Sequence, residues 1–134
     1  EDSELAVATT HPTVPLRFRS RARHVSALPA ILPQGDRLVV AGDMNHWPRP
    51  RKVDTQFRDE AGLHAVEIGQ QPTFDVTRTR YSWLEHAEER FGIPVNGQLD
   101  AMLYRGDLEP EETTVVDVPS DHRAIMTRFV LTST

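Results

Sequence analysis

Leu5-Ala6-Val7-Ala8-Thr9 is a run of small and β-branched apolar residues that stops at Thr10-His11-Pro12. A residue before proline is held away from the helical region, so the run reads as a buried strand with His11 at its end. From Ser20 to Leu32 the apolar positions Ala22, Val25, Leu28 and Ile31 recur every third residue. Ser20 is placed to cap the first turn, and Pro33 with Gly35 closes the last, which predicts an amphipathic helix. Arg37-Leu38-Val39-Val40-Ala41, set between Gly35 and Gly42-Asp43, predicts a central strand.

Downstream, the segment from His46 to Lys52 holds two prolines and three positive charges and reads as a projecting basic loop. Asp54 to Ala61 predicts a helix, Leu63 to Glu67 and Thr73 to Val76 short strands, and Trp83 to Phe91 a helix ending near Gly92. Three late strands follow at Gln98–Tyr104, Thr113–Val118 and Ala124–Leu131. A strand-helix-strand unit that passes into a meander predicts an α/β (α+β) layered sandwich.

At 134 residues the chain is the size of one domain, and residues 1–134 carry no repeat, low-complexity tract or linker. Its 38% hydrophobic and 26% charged residues are those of an ordinary globular protein. No apolar stretch approaches the roughly 18 to 20 residues needed to cross a bilayer, and none has the charged-then-apolar form of a secretory signal. With no cysteine, disulfides, thiolate zinc sites and cysteine nucleophiles are excluded. The net charge of −5 disfavours non-specific gripping of nucleic acid, which draws on a basic excess.

Chemistry-bearing residues gather at the ends of the expected strands: Thr10-His11, Gly42-Asp43-Met44-Asn45, Leu99-Asp100 and Ser120-Asp121-His122. Strand ends on one edge of a sheet are where loops build ligand sites on a rigid support. Phosphodiester hydrolysis needs neutralisation of phosphoryl charge, a base for water and donors for the remaining oxygens, and each has a candidate. His122 can take a proton near neutral pH, and Asp100 can hold its other ring nitrogen. Asp121 can face a hard cation, while Asn45 and His11 can donate to phosphate oxygens. Gly42-Asp43-Met44-Asn45 and Ser120-Asp121-His122 also read as plain turns. Asp100 is different, because a carboxylate inside an apolar strand costs several kcal/mol unless paired, so it needs a partner. His24, His46, His64 and His86 show no metal-ligand spacing and are read as structural. An unrelated hydrolase with a Ser-His-Asp arrangement would need a Gly-x-Ser-x-Gly elbow, which the sequence lacks.

The succession Thr-His-Pro, an arginine-bearing helix, Leu-Val-Val-Ala-Gly-Asp-Met-Asn, Pro72-Thr73-Phe74, Gln98-Leu99-Asp100 and Pro119-Ser120-Asp121-His122-Arg123 resembles the second half of the endonuclease/exonuclease/phosphatase superfamily, the DNase I-like metal-dependent phosphoesterases. The resemblance covers nearly the whole chain. It implies the second half of a four-layer α/β sandwich, mainly antiparallel sheet with flanking helices. His122 would be the general base, Asp100 its orienting carboxylate and Asp121 a residue on the metal side. Asp43 would position water or protonate the leaving oxygen, and Asn45 and His11 would bind the scissile phosphate. Arg123 is expected to be a surface residue. The implied cofactor is Mg²⁺ or Mn²⁺, and the substrate a phosphodiester in nucleic acid, lipid or small molecule, chosen by the segments 46–52 and 78–96.

Family domains are about twice this length, and the Asn and metal-binding Glu of their first half have no counterpart here. The chain alone is therefore expected to be inactive, its open sheet face covered by a companion N-terminal fragment or by self-association. Membrane attachment or secretion through an upstream segment is compatible with the resemblance. The competing expectation is a non-catalytic binding or scaffold domain of the same fold.

Overall fold

The computed structural model describes residues 4–11, 18–45, 58–79, 86, 90 and 97–132. Strand β1 (Leu5–Thr9), helix α1 (Phe18–Ile31) and strand β2 (Arg37–Asp43) form a strand-helix-strand unit whose strands pair in parallel. Strands β3 (His64–Ala65) and β4 (Asp100–Arg105) extend it to a four-stranded sheet in the order β1-β2-β4-β3. Strands β5 (Leu108–Val116) and β6 (Ala124–Leu131) pair with each other in a second sheet. Apart from β1 with β2, each described strand pair is antiparallel. The architecture is thus the expected α+β sandwich.

Alternation along β2 sends Leu38 and Val40 to the helix-covered face, where both are wholly buried. They meet Leu28 and Leu32 at the end of α1, Leu103 of β4, and Met44, Ala61 and Leu63 from the connections. Burying a Leu or Val side chain of this kind contributes about 1.5–3 kcal/mol relative to exposure. Ala6, Ala8 and Ala101 pack against the cluster from the neighbouring strands. Two arginines tie the periphery down. Arg105 donates to the carbonyls of Ala61 and Gly35, and Arg37 grips Asp107 with two hydrogen bonds, Nη2 to Oδ2 being 2.6 Å. The latter joins the first sheet to the turn that starts the second.

Several sequence expectations shift in the structure. The helix begins at Phe18, so Ser20 lies inside it instead of capping it. Its last turn is phased differently: Ile31 is 71% exposed and Leu32 is buried, because Leu28 and Leu32 are one helical turn apart and stack on one face. The strand expected at Thr73–Val76 does not form. Phe74 makes isolated bridges to Gly97 and His122, and the chain then enters a 3₁₀ turn at Val76–Arg78, capped where Asp75 accepts from the Thr77 amide. The strand expected over Leu63–Glu67 shortens to β3. The fifth strand starts at Leu108, earlier than Thr113, with a register shift between Pro110 and Glu112 that absorbs a proline unable to donate to the ladder. Of the helix expected at Asp54–Ala61, residues 58–61 are helical and the rest lies outside the described residues. The basic loop from His46 to Lys52 lies outside them too, as does the helix from Trp83 to Phe91 apart from His86 and Arg90, both helical.

Gly42 governs how closely the two parallel strands approach at the end that carries His11 and Asp43. The Thr10 amide donates to the Ala41 carbonyl at 3.1 Å, and a Cβ on Gly42 would stand 1.9 Å from the Thr10 carbonyl oxygen. Backbone cannot yield there as a flexible side chain could. Gly42→Ala is expected to cost about 2–3 kcal/mol in urea unfolding; an unchanged midpoint would show that the strands are not held at this distance.

Candidate functional site

The antiparallel register of β2 on β4 sets Asp43, the last residue of one strand, directly across from Asp100, the first of the other. The turn before β6 then brings His122 over both. Its Nδ1 lies 2.8 Å from Asp100 Oδ2, and its Nε2 lies 3.9 Å from Asp43 Oδ2. An ionised carboxylate only accepts, so Nδ1 carries the proton and donates, leaving Nε2 as the free lone pair. The ring edge packs on Phe74, with centroids 5.2 Å apart and planes at 62°. His122 is about one-third exposed, enough for solvent or a ligand to reach it.

Burial works against the charged form of His122, yet the hydrogen bond and charge of Asp100, then the charges of Asp43 and Asp121, outweigh it and raise its pKa above the ordinary histidine value. Asp43 is pushed upward as well, chiefly by burial and in part by the charge of Asp100, against the opposing hydrogen bond from the Asn45 amide and the charges of His122 and His11. One histidine thus faces two carboxylates, one bonded and one held nearer to neutrality.

His11, on the residue after Thr10, puts Nε2 3.5 Å from Asp43 Oδ2 while its side chain is 72% exposed. Asn45 is buried in the left-handed region at φ 50°, which asparagine tolerates. Its amide donates to Asp43 Oδ1 at 2.8 Å, closing a turn that orients the aspartate. Asp121 turns its carbonyl to the Asp75 amide at 2.8 Å and its carboxylate toward the Ser120 hydroxyl at 3.2 Å. The structure therefore gathers His122, Asp100, Asp43 and His11 into one cluster, with Asn45 and Asp121 on its rim through their backbone contacts. Among the described residues no group of three or more His, Asp or Glu side chains is placed to hold a metal ion. These residues alone do not fit Mg²⁺ or Mn²⁺.

Sequence reasoning did not give Thr73, Phe74 and Arg123 a part in this site. Thr73 is wholly buried, and its hydroxyl accepts the Asp100 amide at 3.0 Å. Arg123, expected at the surface, is half-buried; its amide donates to the Thr73 carbonyl at 2.7 Å, and its guanidinium lies 2.9 Å from Asp117. Pro72-Thr73-Phe74 was the available signal, but its spacing shows nothing of the distant segments it touches.

No protein-family model and no curated protein matches the chain. Among solved structures it is similar to a mannosyl-6-phosphatase of Bacteroides thetaiotaomicron, with 13% identity over 92% of this chain and 49% of that one, at a TM-score of 0.47. The chain spans about half the length of that protein. A likeness of this degree assigns no activity here.

The folded-state pKa of Asp43 lies above its unfolded value, so its ionisation costs stability from the ordinary carboxylate range upward, and the cost vanishes as pH falls below that range. Asp43→Asn is expected to raise the melting temperature near neutral pH and to lose that advantage near about pH 3, where both forms are uncharged. A lower melting temperature for the variant near neutral pH would contradict the assignment.

Proposed function

We propose that this chain carries the acid-base and phosphate-contacting end of a metal-dependent phosphoester or phosphodiester hydrolase of the endonuclease/exonuclease/phosphatase superfamily. The observation that carries the reading is the 2.8 Å bond from His122 Nδ1 to Asp100, with Nε2 left facing Asp43. A histidine oriented this way takes a proton from water at Nε2, and Asp100 stabilises the imidazolium that forms. Asp43, whose burial favours its neutral form, orients that water or gives its proton to the leaving oxygen. Asn45 and His11 hold the phosphoryl oxygens. The resemblance, not the donor set, is the ground for Mg²⁺ or Mn²⁺; among the described residues Asp121 would be the ligand, and the others would come from outside them.

The net charge of −5 favours a lipid or small-molecule phosphodiester over duplex DNA as substrate. A covering layer belongs to the same reading. Leu5 and Val7 of β1 are 50% and 66% exposed, on the face opposite Ala6 and Ala8, as suits a surface closed by a companion N-terminal fragment or a second copy. A second reading, a non-catalytic binding or scaffold domain of this fold, is favoured by the lack of a three-donor metal cluster among the described residues.

In the full-length protein His122→Ala is expected to reduce phosphodiester turnover by at least about 10²-fold with folding retained. Turnover within about tenfold of wild type would overturn the assignment. Asp100→Asn is expected to cost a large part of the rate by freeing the imidazole, and silence there would mean that another group orients it. Because the base works unprotonated and its pKa is raised, the acid limb of the wild-type pH-rate profile is expected to turn above the ordinary histidine value. A limb at or below that value would separate His122 from the base role.

A further inference from the structure

Asp100 and His122 are carried by different parts of the fold. Asp100 opens β4 of the four-stranded sheet, whereas His122 lies in the turn before β6 of the two-stranded one. Neither ladder fixes the distance between them, yet a 2.8 Å bond tolerates little error. The segment 73–75 supplies the missing connection. On one side the Thr73 and Phe74 amides both donate to the Gly97 carbonyl at 3.0 Å, and the Thr73 hydroxyl accepts the Asp100 amide. On the other side the Thr73 carbonyl accepts the Arg123 amide and the Asp75 amide donates to the Asp121 carbonyl. Asp100 with nearby Gly97, and the two residues flanking His122, are thereby bonded to the same three-residue segment.

We propose that Thr73 is a positioning residue that holds Asp100 and His122 in register across the two sheets, its hydroxyl fixing the start of β4 and its carbonyl fixing the His122 turn. Three features support it. Thr73 is fully buried, so no water competes for its hydroxyl. Its hydroxyl bond goes to the backbone of the residue whose side chain holds His122, so a small displacement there moves the carboxylate directly. Phe74 follows it and packs its ring against the imidazole, with centroids 5.2 Å apart. Outside, Asp117 bridges Arg78 and Arg123 at 3.3 and 2.9 Å, which staples the same segment to the same turn. The inference rests on the reading of His122 and Asp100 as a working pair, and goes beyond it by naming what sets their distance.

The test reads the pair and not turnover, so absent hydrolysis by the full-length protein would overturn the proposed function while leaving this inference standing. With ¹⁵N-labelled histidine in the intact chain, a hydrogen-bonded Nδ1–H of His122 gives a downfield proton signal, assigned by its loss in His122→Gln and Asp100→Asn. The signal is expected to persist in Thr73→Ser, which keeps the hydroxyl, and to disappear in Thr73→Val while the other five imidazoles keep their shifts. Its persistence at the wild-type shift in Thr73→Val would overturn the inference, as would its loss from Thr73→Ser in a folded protein or its absence from wild type. Should Thr73→Val fail to fold, hydrogen exchange of the wild-type Asp100 amide decides: protection supports the bond to Thr73, and exchange at the rate of a free amide removes its basis.

Discussion

Two aspartates placed opposite each other at the ends of neighbouring antiparallel strands repel, and the register of β2 on β4 leaves Asp43 and Asp100 no other arrangement. The rest of the site is organised around that repulsion. His122 stands between them, bonded to one carboxylate through Nδ1 and turned to the other through Nε2, so a proton gained by the ring is stabilised by both. The Asn45 amide and exposed His11 offset further charge on Asp43. Asp43 is shifted upward chiefly by its burial, with the charge of Asp100 adding to it, and the same two carboxylates are what lift His122 despite its burial. Burial and this cross-strand pairing act together on the perturbed groups.

Joining the two sheets is the second structural problem, and it is met by polar contacts more than by packing. At one end Arg37 binds Asp107 with both nitrogens of its fork, and Thr132 donates to the Asp107 carbonyl at 3.0 Å. Gly106 permits the close pass there, since a Cβ would lie 2.3 Å from the Asp36 carbonyl oxygen. At the other end segment 73–75 carries the load beside the site. The Arg78–Asp117–Arg123 ion pairs next to it are partly exposed and add little to stability as isolated pairs. Arg123 Nε is buried without a well-angled hydrogen bond even at 2.9 Å from Asp117, so that contact is better regarded as Coulombic attraction. Their contribution is alignment.

Apolar side chains remain open along the hairpin of β5 and β6 as well as on β1. Met126 is 59% exposed and Leu131 61%, while Phe129 reaches back to Tyr104 of the first sheet with ring centroids 5.4 Å apart. A two-stranded ribbon has little cover of its own, so the Tyr104–Phe129 contact and the Asp107 clamp fix its base, while exposed apolar residues alternate with charged ones such as Arg128, which pairs with Glu111 and Glu112.

The sequence by itself determined the local elements and the short-range chemistry. The run Leu5–Thr9, the apolar core of β2 and the strand Ala124–Leu131 follow from patterns of two to eight residues, and the Asp43–Asn45 turn follows from the preferences of Gly, Asp and Asn. That Asp100 must have a partner was also legible, because the desolvation of a carboxylate in an apolar strand depends only on its neighbours. Tertiary structure decided which partner and at what distance. His122 is 22 residues away in the turn that leads into the other sheet, and the residue that bonds the Asp100 amide, Thr73, is 27 residues away in the opposite direction. Even the phase of α1 was settled late, with Leu32 buried and Ile31 outside, because the strand face it covers selects which stripe of a weakly patterned helix turns inward. Local periodicity records which residues prefer burial; only the packed sheets decide which of them meet.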